Sequence, residues 1–338
     1  MNIIRRKKKV LPLLTACILA FSLTACGNEE TATNQTQTEQ STTEQNTPST
    51  ESQTAEGTDT RTLTDAMGNE VTVPANPQRV IASYLEDNLV ALGITPAAQW
   101  SVNDGTSVQD YLQGELEGVP TIPHDLPFEA VQEIAPDLII MDSASMVEGG
   151  KYEQYSKIAP TYVIGTEVNN DWRDELLRVG EVFGKKEQAE EALKQYDAKA
   201  ADAKATLEKE VGSPSVAAIW LVGGKFYVVS ENLSAGAVMY GDLGLTIPAV
   251  VKEISASATG NWSEISLEKL VELDAEHIFL INGDAGSDTS ALSDALWNSV
   301  PAVKAGNVHE FSSTESWLYT GTIANSQIID NILKTLVK

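Results

Sequence analysis

A segment that recurs is the strongest constraint in this chain. Phe128-Glu129-Ala130-Val131-Gln132-Glu133-Ile134-Ala135-Pro136-Asp137-Leu138-Ile139-Ile140 returns 139 positions later as Leu267-Glu268-Lys269-Leu270-Val271-Glu272-Leu273-Asp274-Ala275-Glu276-His277-Ile278-Phe279. Each copy reads as a short amphipathic helix, apolar at Val131/Ile134 and Leu270/Leu273, then a turn carrying an acid, then a buried strand, Leu138 to Met141 or Ile278 to Ile281. Two such units predict two similar lobes; the bland alternative is a generic helix-strand unit used twice. Glu129 and Glu268 lead the two copies in the same place.

The amino end is read separately. Arg5-Arg6-Lys7-Lys8-Lys9 precedes an apolar run from Val10 to Leu23 that ends at Leu23-Thr24-Ala25-Cys26. That run is shorter than the ~20 residues a spanning helix needs, so residues 1–25 read as a lipoprotein signal peptide with a lipobox. A retained membrane anchor is the alternative. Cys26 becomes the lipidated amino terminus, and Cys17, the other of the two cysteines, leaves with the signal peptide. No thiol then remains for a disulfide, a zinc site or a nucleophile.

Cleavage removes five positive charges and no acid, so the net charge of −25 becomes −30 in the mature chain. Such a field repels phosphate backbones and excludes nucleic acid as a partner. Residues 26–60 are the lipidated Cys followed by Thr, Gln, Glu, Ser and Asn with almost nothing apolar, which reads as a disordered tether. A flexible chain of that length reaches on the order of 30 Å, enough for a globular body to move above a bilayer.

The remaining chain alternates apolar strand-like runs with amphipathic stretches, which predicts an α/β fold with mainly parallel sheets. Strands are expected at Arg79 to Ser83, Leu138 to Met141, Thr161 to Ile164 and Ser215 to Val222, with helices at Asp171 to Phe183 and Thr322 to Leu336. From Lys185 to Val211 an Ala/Glu/Lys/Gln-rich segment without Gly or Pro predicts one long helix of about 40 Å, stopped by Gly212-Ser213-Pro214. The expected organisation is an N-terminal lobe at 61–184, a bridging helix at 185–212 and a C-terminal lobe at 213–338. Two Rossmann-like lobes on a single helix predict only a small opening and closing motion.

Ordered phrases carry a family resemblance over about 61–338. Asp65-Ala66-Met67-Gly68-Asn69-Glu70-Val71-Thr72-Val73-Pro74 followed by Pro77-Gln78-Arg79-Val80-Ile81 looks like an opening hairpin and first strand. Asn88 to Pro96 looks like the first helix and turn; Tyr240 to Leu245 and Ser316-Trp317-Leu318-Tyr319-Thr320-Gly321 are similar to second-lobe segments. Behind a lipobox, these resemble the ABC-transporter substrate-binding lipoproteins for iron-siderophores and cobalamin, in which two α/β lobes are bridged by one helix. The resemblance implies that one exposed Glu per lobe, here Glu129 and Glu268, meets arginines of the permease, with the ATPase engaged indirectly. It also implies a monomer on the extracytoplasmic face of the cell membrane. The alternative for both glutamates is a helix-start carboxylate favoured by the helix dipole.

In parallel α/β lobes a ligand sits beyond the carboxyl ends of the strands. The loops there and the aromatic residues beside them nominate Tyr84, Trp100, Ser143, Trp172, Arg173, Trp220, Trp262, Trp317 and Tyr319 as ligand-binding residues. Aromatic rings give an apolar wall with a polar handle. Trp220 and Trp297 read equally as core, and Arg173 equally as a solvated helix-start residue. Few bases are available in the first lobe, and Val222 stands two residues after Trp220, where hydroxamate-binding relatives tend to present a base. A neutral or cationic ferric hydroxamate therefore fits better than a ferric tris-catecholate with about three negative charges. Ferric citrate, catecholate, haem and cobalamin remain alternatives. No cofactor of the protein's own and no protein-held metal are expected, since only His124, His277 and His309 are available and none has a ligand-spaced neighbour. An enzyme is not expected either, for neither a phosphate loop nor a nucleophile elbow is present.

Overall fold

The computed structural model describes residues 59–287 and 289–337. The expected signal peptide, Cys26 and nearly all of the expected tether lie outside the described residues. Thr60, expected as the end of the tether, already belongs to a strand: Thr60–Thr64 pairs antiparallel with Glu70–Pro74. The turn between them is closed by the Asp65 carboxylate, which accepts from the backbone N–H groups of Met67 and Asn69.

Two α/β lobes follow. In the first, Val80–Ala82, Leu138–Ser143 and Thr161–Gly165 form a parallel sheet with the Leu138 strand in the middle. Val80, Ile81 and Leu138 to Met141 are buried, as continuous apolar strands covered on both faces must be. A second parallel pair, Gln99–Ser101 with Thr121–Pro123, joins this sheet through a bridge from Ile81 to Ala98. The second lobe is built on one five-stranded sheet in the order Trp262–Ile265, Lys225–Val229, Val216–Val222, His277–Asn282, Val308–Ser312. Its last three strands run parallel and the first two return antiparallel.

The duplicated segment occupies the same station in each lobe. The helices Phe128–Ile134 and Leu267–Val271 each precede the central strand of a parallel trio. The acid of the turn does the same work twice. Asp137 accepts from the backbone N–H groups of Gln78 and Arg79 at the start of the neighbouring strand, and Glu276 accepts from Ser215 N at the start of its own neighbour. N–H groups at a strand's start lie beyond the sheet ladder and take these carboxylates as acceptors instead, which accounts for the acid recurring with the strand.

Between the lobes runs the helix Lys186–Glu210, 25 residues or about 38 Å long. Ala189, Tyr196, Ala200, Ala203 and Leu207 make its buried face, a spacing of three, four and seven that keeps one stripe inward. The small residues let it lie close to the helices Trp172–Val182 and Thr322–Leu336. The last helix begins and ends where the sequence pattern places it.

Its start is held by the other lobe. Asp87, 2% exposed in the first-lobe helix Glu86–Ala91, accepts from the backbone N–H groups of Ile323 and Ala324. A carboxylate at a helix N-terminus satisfies donors that have no intrahelical partner. Gly321 makes room: its φ is +136°, and a Cβ there would stand 2.3 Å from Asp87 Oδ1.

Candidate functional site

Two adjoining cavities lie between the lobes and share Tyr84 and Asn261 in their walls. The larger, about 560 Å³, is aromatic: Tyr84 and Trp100 come from the first lobe, Trp220, Trp262 and Tyr319 from the second. Their rings interlock. Tyr84 meets Trp100 edge-on at 5.4 Å, Tyr319 lies 6.5 Å from Trp100, and Trp220 meets Trp262 at 6.1 Å. The indole N–H groups of Trp220 and Trp262 are buried without a hydrogen-bond partner, and unpaired donors beside a cavity are suited to acceptor oxygens of a ligand.

Charge is scarce on this wall. Asp110 is its one charged side chain among the described residues, and Val222 presents an apolar surface where a base would draw in an anion. Burial pushes the Tyr319 phenol up to about 12 and holds Tyr84 well above the ordinary range, aided in both by nearby carboxylates. Both hydroxyls therefore stay protonated at neutral pH and stand as hydrogen-bonding groups on the cavity wall.

The smaller cavity, about 280 Å³, is polar, with Asn88, Asp142, Asn170, Arg173 and Glu175 among its walls. Desolvation raises Asp142 to about 6 against the hydrogen bond from Asn170, and raises Glu175 to about 8 with the Asp142 charge adding to the effect. Arg173 stands here, as expected of a base near the cleft, but its charge is already engaged. Its guanidinium donates to Asp242 at 2.9 Å and lies over the Trp172 ring at 4.3 Å. Burial works against the charge of Arg173, and Asp242 more than restores it.

The nominated residues thus divide. Tyr84, Trp100, Trp220, Trp262 and Tyr319 converge on the aromatic cavity; Tyr84, Trp172 and Arg173 reach the polar one. Trp172 is 5% exposed and packs edge-on against Tyr196. Two expectations are corrected. Trp317 is 0% exposed, stacked on Phe279 and tilted against Phe311 in the second-lobe core. The 3-10 turn Ser316–Leu318 turns its ring inward while sending Tyr319 outward, a reversal that loop composition does not reveal. Ser143 is buried at the end of its strand and bonded to Ser145, outside both cavity walls. Trp297, an open choice, is core, stacked on Phe226 at 4.9 Å.

Sequence reasoning missed Asn88, Glu175, Asn232 and Asn261 as wall residues. Asp142 followed a strand and was visible by that rule alone; the amides carry no pattern. Of the histidines, His124 is exposed on the first lobe while His277 and His309 contact each other at 3.0 Å on the second-lobe sheet. Among the described residues no group of three or more His, Cys, Asp or Glu is placed to hold a metal ion.

Glu129 and Glu268 are exposed, each the second residue of its helix. Neither carboxylate makes a salt bridge among the described residues. Lys269, beside Glu268, is instead paired with Glu253 and Glu272.

Comparison with known proteins agrees with this architecture. Residues 83–314 match the family model described as Periplasmic binding protein. The chain is 27% identical over 335 residues to the iron(3+)-hydroxamate-binding protein FhuD of Bacillus subtilis (strain 168), covering 98% of each chain. It is 26% identical over 340 residues to the probable siderophore-binding lipoprotein YfiY of the same organism, covering 96% of this chain and 97% of that one. Among solved structures it is similar to a FhuD fold-family protein from Bacillus subtilis, the periplasmic binding component of a Fep/Fec-like ferrichrome ABC transporter. That likeness has a TM-score of 0.68 and 26% identity, over 81% of this chain and 99% of the other. With two lobes on one helix and a cleft between them, this chain belongs to the periplasmic binding protein family.

Proposed function

We propose that the mature chain captures a ferric siderophore of the hydroxamate type in the aromatic cavity and delivers it to an ABC permease without chemical turnover. The observation that carries this reading is the wall itself: five aromatic side chains with two unpaired indole donors and no basic side chain among the described residues. A neutral or cationic chelate with carbonyl and hydroxamate oxygens suits both the indole donors and the absence of a base, whereas the anionic tris-catecholates offer acceptor oxygens but find no base to offset their charge. The relatives named for hydroxamate and siderophore binding support the assignment.

Glu129 and Glu268 are the proposed docking points for the permease, one per lobe and spaced by the duplication. Charges of this kind set register and association rate. The lipoprotein named among the relatives supports a Cys26 anchor, with the monomeric body held at the extracytoplasmic face. A division at 61–184, 185–212 and 213–338 is the organisation we assign to the mature body.

The test is intrinsic tryptophan fluorescence of the mature protein titrated with a ferric hydroxamate, using ferric catecholate, ferric citrate, haem and cobalamin as comparators. Saturable quenching by sub-micromolar hydroxamate alone is expected. Tighter binding of any comparator overturns the hydroxamate assignment and leaves a receptor of another ligand class.

A further inference from the structure

The polar cavity is unlike the aromatic one beside it, and its chemistry is specific. Asp142, the last residue but one of the central first-lobe strand, lines the cavity, and its side-chain partner is Asn170 at 3.4 Å. Glu175 reaches the same space from the helix Trp172–Val182 and is 9% exposed. Asn88, 3% exposed, also lines it, and its side-chain oxygen is buried with no hydrogen-bond partner. Two acids and an orphaned acceptor therefore converge on one small volume.

The other charged groups of this cavity are already occupied. Asp171 caps its own helix by accepting from the backbone N–H groups of Arg173 and Asp174. Arg173 is neutralised by Asp242 at 2.9 Å and Asp197 at 3.4 Å. The second-lobe wall adds the amides of Asn232 and Asn261 and no charged side chain. A buried acceptor without a donor is costly, and two carboxylates sharing one site disfavour each other's charge. A small cation that donates several hydrogen bonds removes both penalties at once. An ammonium group, with three donors and no acceptor, has that valence.

We propose that the polar cavity is a subsite for a protonated amine on the ligand, received by Asp142, Glu175 and Asn88 while the chelated iron lies against the aromatic wall. The two cavities adjoin at Tyr84 and Asn261, so in this proposal a linear ligand with its chelate in one places its amine tail in the other. The assignment rests on the reading of this cleft as a ferric hydroxamate receptor. It narrows the ligand to linear trihydroxamates ending in a primary amine. Raised acids add a linkage: Glu175, near 8, and Asp142, near 6, release protons when the ammonium arrives, so the preference for the amine grows with pH.

The experiment compares two probes on the mature protein in 0.15 M salt: the ferric complex of a linear trihydroxamate with a terminal amine, and the same complex with that amine acetylated. The amine, with a pKa of about 10, stays charged throughout the range. At pH 8 the ammonium complex is expected to bind about tenfold tighter, the size of one charge-assisted hydrogen-bonding site. The ratio should shrink toward one at pH 5.5 and in an Asp142→Asn/Glu175→Gln variant, whose isosteric amides keep the shape of the wall. Equal affinities in the wild type overturn the subsite and leave the receptor reading standing. A tenfold ratio that survives in the variant assigns the preference to overall negative charge and overturns the subsite too. Failure of both complexes to bind overturns the hydroxamate reading and the subsite with it.

Discussion

At the carboxyl ends of their central strands the two lobes place acids in comparable positions and use them in opposite ways. In the second lobe Asp284 accepts from the backbone N–H groups of Gly223 and Gly224 at 2.7 and 2.8 Å, tying the hairpin turn between two strands. Its oxygens are spent on the fold. In the first lobe Asp142 makes one long side-chain contact, to Asn170, and burial raises it to about 6. Similar topology therefore leaves one lobe with a sealed strand end and the other with an acid available to the cleft. Duplication supplies a frame; the loops that follow the strands decide which lobe stabilises and which one binds.

The largest test of this division concerns the two aromatic neighbours at the second-lobe rim. Trp317→Ala should cost about 3–5 kcal/mol of stability, since a fully buried ring stacked on Phe279 leaves a cavity. Tyr319→Ala should instead lower ferric-hydroxamate affinity about tenfold, the worth of a rigid aromatic anchor. Chemical denaturation and fluorescence titration of both variants separate the roles, and a pocket phenotype for Trp317→Ala with unchanged stability would break the comparison.

The acids themselves come next. Asp284→Ala removes the two charge-assisted hydrogen bonds that close the turn at Gly223 and Gly224 and is expected to cost about 1–3 kcal/mol, whereas Asp142→Ala should leave the denaturation midpoint unchanged or raise it. Equal destabilisation by both would show that the lobes use their acids alike.

The duplicated helix starts offer a test of equivalence. Glu129→Arg with Glu268→Arg should reduce uptake by whole cells about tenfold or more while ligand affinity stays as in the wild type. Each single reversal should give an intermediate loss. An effect from one position alone would mean that only one lobe docks.

The smallest effect is the pH dependence of stability. Burial raises Glu175 to about 8, Glu86 to about 7, and Asp87 and Asp142 to about 6, while carboxyls of the unfolded chain titrate near 4. Between about pH 4 and pH 8 the folded protein holds more protons than the unfolded one, so stability is greatest at the acid end and falls as pH rises through that window. Three of these acids, Glu86, Asp87 and Asp142, come from the helix and strand that form the first-lobe side of the cleft. Calorimetric Tm should decline from pH 5 to pH 8, and Glu175→Gln should flatten the decline. A Tm that rises over the same range would contradict the burial of these groups.

Much of the frame was legible in the chain. Apolar runs of strand length give Leu138–Ser143 and His277–Asn282 within a residue or two, and the uninterrupted Ala/Glu/Lys segment gives the helix Lys186–Glu210. These features rest on periodicity and on the absence of Gly and Pro, which act over a few residues along the chain. The recurrence of a Glu-led helix before each central strand was legible for the same reason. The same recurrence puts Glu129 and Glu268 at the second position of their helices, where both are exposed.

Which side chain faces the cleft was decided by the tertiary structure. Trp317 and Tyr319 stand two apart in a loop of Ser, Thr and Gly, and composition treats them alike; a single 3-10 turn buries one ring and presents the other. Arg173 was visible as a base near the cleft, but its neutralisation depends on Asp242, 69 positions away. Asp87 reads as an ordinary helix-start acid until the last helix, more than 230 positions on, is docked against it. Local pattern fixes the path of the backbone because its energetics are local. The polarity of the cleft depends on pairs that meet only when the lobes pack, and no spacing along the chain encodes those meetings.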